Sequence, residues 1–354
     1  MENPPGQRLR ELTGPLLLTG HTGFKGTWMT FLLEHLNVPV VGYSLLPEKD
    51  SLFDRAERIG AIPEAFADIR DYEALEQFID LHKPSTIIHM AAQPLVLKSY
   101  ESPRETFDVN VMGTVNVLDV AFKKDFVKAI IVVTTDKVYR NDNSGRAYVE
   151  TDPLEGKDPY SASKVGAEAV VSAWQQISRI KLSKKVASVR AGNVIGGGDF
   201  AVDRIIPDII RGILHNNEVV IRNPKSTRPW QHVIEPLAGY LLSLESLICG
   251  NESVNFNFGP EPLEIAVESI VKTAYLTFPE LEKLIKMESS SIHNYEAEIL
   301  KLNSDSANEH LNWKLRWNQE EAVFLTFNWW HKLLNEQVDP YDLCLSDIKK
   351  YFSE

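Results

Sequence analysis

The sequence predicts an α/β protein built on a doubly wound parallel sheet, with a smaller second lobe towards the C-terminus. Continuously apolar segments of strand length alternate with segments of helical periodicity, which is typical of a parallel sheet covered by helices on both faces. A glycine-rich turn directly follows the first apolar segment. Beyond about residue 190 the alternation loosens and turn-forming residues become frequent, which indicates a different, smaller lobe.

The predicted elements follow one another in a regular order. The first apolar segment, 16–19, reads as a buried strand, and the turn after it opens a helix over 27–36. Further strands are predicted at 38–43, 86–90 and 130–134, and further helices at 106–123 and 164–177. In such a sheet, ligands bind at the carboxyl ends of the strands.

The chain is long enough for two structural units. Its 354 residues exceed the roughly 100–200 residues typical of one domain. The run Gly196, Gly197 and Gly198 is a flexible break, and Asn-Pro and Arg-Pro turns follow it. We therefore expect one domain over 1–190 and a second lobe over 191–354 that interleaves with the first.

Charge and composition exclude several classes of protein. The 37 basic residues face 49 acidic ones, for a net charge of −12, which disfavours binding to nucleic acid. Cys249 and Cys344 are the only cysteines, so no disulfide framework is expected and a reducing compartment fits. Because no apolar run reaches membrane-spanning length and the N-terminus lacks an apolar leader, we expect a cytoplasmic protein without membrane contact.

The glycine-rich turn has the features of a phosphate-binding site. Gly20, Gly23 and Gly26 are spaced by two residues, with a strand before them and a helix after them. This arrangement lets the backbone approach a pyrophosphate at a helix N-terminus, as in the Rossmann-type dinucleotide fold. The alternative is an ordinary glycine-rich turn. The residues predicted to bind the dinucleotide here are Gly20, Thr22, Gly23, Phe24, Lys25 and Gly26.

The second strand ends without the acidic residue that usually holds a ribose 2′-hydroxyl. Its last residues are Gly42, Tyr43 and Ser44, and no obvious clamp for a 2′-phosphate replaces the missing carboxylate. We therefore expect NAD as the cofactor without excluding NADP.

A Tyr–Lys pair supplies candidate redox chemistry. Tyr160 and Lys164 are four residues apart, so a helix places them on one face, one turn from each other. A neighbouring ammonium and a nicotinamide cation favour the phenolate, which can remove a hydroxyl proton while a hydride leaves the same carbon. The alternative is a Tyr–Lys pair on the surface of a helix, without a role in catalysis.

A second cluster follows the strand predicted at 130–134. Thr135, Asp136 and Lys137 lie at the carboxyl edge of the sheet, where a ligand is expected to bind. An acid beside an amine at that edge is a candidate acid–base pair, and the alternative is a solvated loop with a salt bridge. The sequence contains no HExxH, CxxC or His/Cys cluster, so we expect no metal site.

These motifs together resemble a known family. The glycine turn, Tyr-x-x-x-Lys and Thr-Asp-Lys are similar to those of extended short-chain dehydrogenases/reductases. Four longer segments narrow the resemblance to nucleotide-sugar 4,6-dehydratases, and within them to the CDP-glucose branch. The segments are GHTGFKGTW from Gly20, HMAAQPLV from His89, VRAGNVIGGGDF from Val189 and IRNPKSTRPWQHVIEPL from Ile221.

The resemblance implies a redox-neutral lyase reaction on a nucleotide-diphosphate hexose. It implies that Tyr160 takes the C4 hydroxyl proton during oxidation by NAD⁺, that water then leaves from C5 and C6, and that the hydride returns to C6. Thr135 would hold the sugar hydroxyl and Asp136 would protonate the departing C6 oxygen. Lys164 would support Tyr160 and the nicotinamide ribose. Lys137 stands where most such dehydratases carry a glutamate base, so the resemblance implies that a neutral Lys137 amine moves the C5 proton.

The resemblance also implies the binding residues of both ligands. For the cofactor these are Asp68 and Ile69 beside the adenine and Ala91, Ala92 and Gln93 beside the ribose. For the nucleotide diphosphate they are Asn193, Arg204, Arg222, Arg228 and His232. Plain surface arginines and a satisfied core histidine remain the alternatives for the last four.

Three alternatives stay open in the sequence. The chain departs from the family between Tyr139 and Glu150, a loop without tryptophan that leaves the hexose undecided. A 4-epimerase and a dehydratase for another nucleotide sugar are the first two alternatives, although an epimerase needs no Asp136–Lys137 pair. A non-catalytic binding protein on the same fold is the third alternative. The resemblance further implies a homodimer through the helices at 106–123 and 164–177.

Overall fold

The computed structural model describes residues 5–181, 184–202, 204–221, 223–252, 254–260, 265–288 and 300–353. Seven parallel strands form its central sheet, in the spatial order β7-β6-β5-β4-β1-β2-β3. The strands are β1 Leu16–Thr19, β2 Val40–Ser44, β3 Glu64–Phe66, β4 Thr86–His89, β5 Ala129–Val133, β6 Lys185–Ala191 and β7 Phe256–Phe258.

Helices cover both faces of this sheet. The helices are α1 Gln7–Arg10, α2 Phe24–His35, α3 Leu52–Arg55, α4 Tyr72–His82, α5 Val96–Glu101, α6 Pro103–Phe107, α7 Gly113–Lys123, α8 Pro159–Lys181, α9 Ile205–His215, α10 Ile234–Ile248, α11 Val267–Thr277, α12 Asp305–Leu311, α13 Gln319–Asn335 and α14 Pro340–Ser353. The described segments contain no helix with the length and apolar character needed to cross a bilayer.

The doubly wound fold class predicted from the sequence is confirmed, with small shifts in its elements. Helix α2 begins at Phe24, three residues before the predicted start, because Gly23 in extended conformation caps it. The helix predicted over 106–123 is divided in two. A single π-helical turn at Asp108–Met112 joins α6 to α7, and such turns are frequent near functional sites.

The strand order brings four loops to one edge of the sheet. Strand β1 pairs with β2 on one side and with β4 on the other, so the turn after β1 lies where the winding direction reverses. Thr19 pairs with His89, and β5 and β6 continue in parallel beyond β4. The loops after β1, β4, β5 and β6 therefore open onto the same crevice.

The C-terminal part of the chain contributes to both units. Strand β7 extends the central sheet by pairing with β6, as interleaved domains would do. The remaining ladders are short and lie outside that sheet. They pair 193–195 with 230–232, 219–221 with 285–287, 227–228 with 265–266, and 147–148 with 301–302. The division at residue 190 itself stays a prediction.

A buried carboxylate joins α10 to the C-terminal helix. Glu235 is fully buried, and it accepts hydrogen bonds from the Arg316 and Trp317 amides (3.0 and 2.8 Å) and from the Tyr351 hydroxyl (2.9 Å). Burial nevertheless dominates and raises the pKa of Glu235 to about 7. The folded protein therefore holds this proton more tightly than the unfolded chain does.

The raised pKa of Glu235 predicts a pH-dependent stability. Because an exposed glutamate has a pKa of about 4.3, the free energy of unfolding should fall by up to about 3 kcal/mol as the pH rises from 4.5 through 7. Glu235→Gln should lack this decrease and be the more stable protein at pH 8. Urea unfolding at several pH values measures it, with the exposed Glu309→Gln as the control. If the free energy of unfolding changed with pH in the same way for Glu235→Gln and wild type, the prediction would be contradicted.

Candidate active site

The turn after β1 is shaped to cradle phosphate. Gly20 has a φ of +77°, and a Cβ there would lie 2.7 Å from the Ala91 amide nitrogen. A Cβ on Gly26 would meet the Gly20 carbonyl at 2.0 Å, so the helix can approach the turn only with glycine at this position. Gly23 is exposed, and no side chain caps the α2 N-terminus that follows it. Free N–H groups and a positive helix end therefore face the crevice, which fits a dinucleotide pyrophosphate.

The other predicted cofactor residues line the neighbouring strand ends. Ala91 and Ala92 are half-buried in the loop after β4. The Gln93 side chain is buried and used by its own loop, since it donates to the Leu95 carbonyl (3.1 Å) and to Thr106 (3.0 Å). The Gln93 side chain therefore stabilises the loop after β4.

The edge beyond β2 is neutral, as the sequence indicates. The Thr22 hydroxyl is hydrogen-bonded to Ser44 (2.8 Å), the residue that ends β2. Asp68 follows β3, where Arg70 binds its carboxylate at 2.6 Å and holds its pKa below the usual range. Ile69 is buried against Gly113. Because Arg70 binds the Asp68 carboxylate, that carboxylate has less hydrogen-bonding capacity left for an adenine than the sequence suggests.

The Thr-Asp-Lys segment forms a short 3₁₀ turn directly after β5. Thr135 and Asp136 are buried, and the Thr135 hydroxyl donates to Asp136 Oδ1 at 2.9 Å. Lys137 is more exposed, with its Nζ 3.8 Å from the same carboxylate oxygen. A side chain at Gly192 would place its Cβ 3.2 Å from Asp136 Oδ2, so glycine after β6 leaves room for the carboxyl group.

Tyr160 and Lys164 lie on the first turns of α8 and face the same crevice. Tyr160 is 9% exposed, and burial raises its pKa to about 12, an effect that the neighbouring Thr135 hydroxyl opposes. Lys164 Nζ donates to the Val133 carbonyl at 3.2 Å. Burial lowers the pKa of Lys164 to about 8, although the charge of Glu168 opposes this. Among the protein's own groups, desolvation outweighs the neighbouring charges on Tyr160, and the lower pKa predicted beside a bound nicotinamide cation stays a prediction.

Lys25 enters the reaction centre from the phosphate-binding turn. Its Nζ lies 3.4 Å from the hydroxyl of the buried Tyr240 and 5.7 Å from the centre of that ring. Burial lowers the pKa of Lys25 to about 7, and the charge of Arg204 contributes. The charges of Asp136 and Lys164 also act on this amine. The Lys25 side chain therefore lies near the charged groups of the crevice, while its backbone belongs to the turn.

Buried hydrogen bonds fix the position of α8. The Ser99 hydroxyl accepts from the Tyr160 amide at 3.1 Å. Asn110, in the π-helical turn, accepts from the Gln93 amide at 2.8 Å and donates to Ser163 at 2.9 Å, and Ser163 donates to the Tyr160 carbonyl. Helix α8 is thus tied to the loop after β4 through side chains that the sequence analysis did not single out.

A buried ion pair lies behind Lys164. Glu168 is one turn further along α8, and both its oxygens accept from Arg190 (2.9 and 2.8 Å). Thr134 and Ser188 donate to the same carboxylate, and these bonds hold the pKa of Glu168 below its usual range despite burial. Arg190 also donates to the Tyr139 hydroxyl at 2.7 Å. This network joins the end of β5, β6 and α8 one helical turn from Lys164.

The predicted substrate residues have different outcomes. Asn193 is half-buried at the start of the short strand after β6. Arg204 binds Asp199 at 2.8 Å, and its charge acts on both Lys25 and Tyr160, which places it at the crevice. Arg228 is half-buried and donates to the Thr227 carbonyl. Arg222 lies outside the described residues.

The structure places His232 in the core. The side chain has no exposed surface, and its ring lies between Trp28 and Trp317, with centroid distances of 5.5 and 4.9 Å. Burial lowers its pKa to about 3. This burial favours the core histidine that the sequence left open as an alternative, although its Nε2 has no hydrogen-bond partner among the described residues, and the substrate role stays a prediction.

Comparison with known proteins decides the family. The family model described as GDP-mannose 4,6 dehydratase matches residues 17–325. A CDP-glucose 4,6-dehydratase from Salmonella typhimurium is 41% identical, over 96% of this chain and 96% of that protein. The chain belongs to the nucleotide-sugar 4,6-dehydratase family. The resemblance predicted from the sequence is thereby confirmed, and the chain is an enzyme of this family.

More distant relatives share the fold. A UDP-glucuronate 4-epimerase from Thermodesulfobacterium geofontis is 27% identical over 89% of this chain and 96% of that protein. A dTDP-glucose 4,6-dehydratase from Streptomyces venezuelae, solved with NAD bound, superposes with a TM-score of 0.76 at 21% identity, covering 92% of this chain and 99% of that one. A UDP-glucose 4-epimerase from Thermotoga maritima gives 0.78, also at 21% identity, covering 91% and 100%. Dehydratases and epimerases therefore use one architecture, and the site residues must distinguish them.

Proposed function

We propose that this enzyme converts CDP-glucose to CDP-4-keto-6-deoxyglucose by removing water from C5 and C6. The observation that carries the proposal is the convergence of a phenol, a carboxyl group and an amine on one crevice. The Thr135 hydroxyl donates to Asp136, Lys137 lies beside the same carboxyl group, and the charge of Asp136 acts on the buried Tyr160. The nucleotide is taken from the 41% identical relative, which is named for CDP-glucose.

The residues of the crevice fit a nicotinamide dinucleotide. The glycine cradle and the uncapped α2 N-terminus suit its pyrophosphate, and the related dehydratase of known structure was solved with NAD. When bound, the nicotinamide supplies reversible hydride transfer, first from C4 and later to C6. Because β2 ends in the neutral Ser44, the residue at this position does not distinguish NAD from NADP. Other contacts of the cofactor ribose decide between them.

Each catalytic side chain has a distinct task in this proposal. Tyr160 removes the C4 hydroxyl proton, and Lys164 orients it from one turn away while its own pKa of about 8 keeps much of it charged at neutral pH. Asp136 gives a proton to the C6 oxygen, which leaves as water. Lys137 takes the C5 proton and returns it to C5 after reduction at C6. Arg204 and Asn193 hold the diphosphate, since a guanidinium matches phosphate oxygens.

The pair formed by Asp136 and Lys137 favours dehydration over epimerisation. A 4-epimerase oxidises and reduces the same carbon and needs no acid at C6 and no base at C5. Asp136 is buried beside Thr135, and Lys137 is within 3.8 Å of it, so the crevice holds both groups that elimination requires.

The assembly and location of the enzyme belong to the same proposal. We expect a homodimer through α7 and α8 with their preceding turns, as the family resemblance implies, and a cytoplasmic enzyme. Leu97, Tyr100 and Met112 are exposed apolar side chains near those helices, which is consistent with a covered face.

Replacing Lys137 tests the assignment of the C5 base. Lys137→Met should oxidise C4 but no longer exchange the C5 proton with deuterated water, because methionine cannot carry a proton. Mass spectrometry of the quenched nucleotide sugars measures the exchange, with the exposed Lys128→Met as a matched control. Normal exchange in Lys137→Met would assign the base to another group.

The substrate is tested by direct incubation. CDP-glucose, UDP-glucose, dTDP-glucose and GDP-mannose are each incubated with the enzyme and NAD, followed by mass spectrometry. We expect CDP-glucose to lose the mass of one water without net reduction of the cofactor. Preferred dehydration of another sugar nucleotide would correct the substrate, and an isomer without mass loss would indicate an epimerase.

A further inference from the structure

The three glycines at 196–198 let two tryptophans pack closely against the backbone. Trp28 of α2 donates from its indole Nε1 to the Gly197 carbonyl at 3.0 Å. A Cβ on Gly197 would overlap the indole of the buried Trp329 of α13. Gly198 has a φ of +79°, which glycine adopts without strain. The glycine loop, residues 196–200, is therefore in contact with both α2 and α13.

Ring contacts hold the end of the glycine loop. Phe200 lies edge-on against the fully buried Trp330 of α13, with 4.8 Å between the ring centroids. The Arg55 guanidinium of α3 lies 4.6 Å from the centre of the Phe200 ring, where a cation is attracted to an aromatic face. These contacts fix the residue next to Asp199.

Asp199 connects this loop to the predicted substrate residue Arg204. Asp199 is 4% exposed, its Oδ1 accepts from the Ala201 amide at 3.1 Å, and its Oδ2 accepts from Arg204 Nη1 at 2.8 Å. A buried carboxylate is costly without such partners. The Arg204 side chain is still 39% exposed, and its charge acts on Lys25 and Tyr160. Asp199 therefore holds one edge of a guanidinium whose charge reaches the crevice.

We propose that Asp199 is a positioning residue that orients Arg204 towards the diphosphate of the substrate, and that α13 holds Asp199 in place through the contact of Trp329 with Gly197. The inference rests on the proposed function, which requires a cation at that diphosphate. A guanidinium has five N–H donors in one plane, and the structure places one of them on Asp199, so donors remain for phosphate oxygens. Asp199 itself touches no phosphate, because like charges repel.

The test is a double-mutant cycle on nucleotide binding. CDP, UDP, dTDP and GDP are titrated by calorimetry into the wild-type enzyme with NAD present, and the tightest of them is then titrated into the variants. Arg204→Met should weaken its binding roughly 10–100-fold, because a charged donor is lost. Asp199→Leu, which has a similar shape but accepts no hydrogen bond, should weaken it roughly tenfold. Because Asp199 acts through Arg204, the double variant should bind no more weakly than Arg204→Met.

Three controls limit the effect to the phosphate contact. Asp199→Asn keeps an acceptor oxygen and should bind the nucleotide more tightly than Asp199→Leu. The corresponding nucleoside, which has no phosphate, should bind wild type and Asp199→Leu equally in an NMR titration. Asp80→Asn loses an exposed pair with Lys124 and should bind the nucleotide as wild type does. Circular dichroism and thermal melting verify that each variant is folded.

The contact with α13 is tested by a compensating pair. Gly197→Ala should weaken nucleotide binding, because its methyl group and the Trp329 indole cannot occupy the same space. The double variant Gly197→Ala, Trp329→Leu should bind more tightly than Gly197→Ala alone, since leucine leaves room for the methyl group. Wild-type binding by Gly197→Ala would overturn the role given to α13.

Two results would overturn the role of Asp199. Asp199→Leu might bind as tightly as wild type or more tightly, or the double variant might bind much more weakly than Arg204→Met; either result would show that Asp199 does not act by orienting Arg204. A wild-type enzyme that binds a nucleoside diphosphate but does not dehydrate its sugar nucleotide would contradict the proposed function alone. Binding of none of the four nucleotides would contradict both.

Discussion

Replacing Tyr160 by phenylalanine is expected to lower kcat by roughly 10²–10⁴-fold on CDP-glucose, the range expected for loss of a general base. Phenylalanine fills the same space, and Tyr160 is 9% exposed with its backbone amide bonded to Ser99, so the helix should keep its place. The KM should change little, because only a group acting on the C4 hydroxyl is removed. Steady-state assays of water loss from the sugar nucleotide measure both constants.

A second tyrosine provides the control for this variant. Tyr100 on α5 is 50% exposed, and Tyr100→Phe should keep the wild-type kcat. A Tyr160→Phe enzyme within tenfold of wild type would assign C4 deprotonation to another residue.

The second large effect concerns stability. Arg190→Met should lower the free energy of unfolding by about 3–5 kcal/mol, because it leaves the fully buried Glu168 carboxylate without its cation. The two side chains are each 3% exposed and joined at 2.8 Å. Urea unfolding at pH 7 measures the loss. The same variant should also weaken catalysis, since Glu168 lies one turn from Lys164 and its charge opposes the lowering of the Lys164 pKa.

Two further variants separate the buried pair from a general charge effect. Arg146→Met removes an exposed pair with Asp152 and should cost less than about 1 kcal/mol. The double variant Arg190→Met, Glu168→Gln should be more stable than Arg190→Met alone, because no unpaired charge remains buried. A loss for Arg190→Met as small as that for Arg146→Met would contradict the prediction.

The sheet was predictable because its signals are local. Each signal lies within a short stretch of chain, as the continuous apolar strands, the glycine spacing and the Tyr-x-x-x-Lys motif show. Parallel topology then requires that the loops after β1 and β5 open at one edge, so the meeting of Gly20 with Thr135 and Asp136 at the crevice could be expected before any coordinates.

The remaining features depend on contacts between distant parts of the chain. Nothing in the sequence around Lys25 indicates that its amine donates a hydrogen bond to the hydroxyl of Tyr240, 215 residues away. The burial of His232 could not be predicted for the same reason, since Trp28 and Trp317, which pack against its ring, come from two other parts of the chain. Ser99 and Asn110 carry no motif, although the polar residues between apolar helix positions were a signal that could have found them.

The central claim is that the hydrogen removed from C4 returns to C6 of the same sugar. CDP-glucose that carries deuterium at C4 tests this most directly, with the product analysed by mass spectrometry and NMR. We expect the 4-keto-6-deoxy product to carry that deuterium on C6, one atom per molecule, while the C5 position takes a proton or deuteron from the medium. A product with deuterium absent from C6, or recovered at C4 of an epimer, would contradict the account.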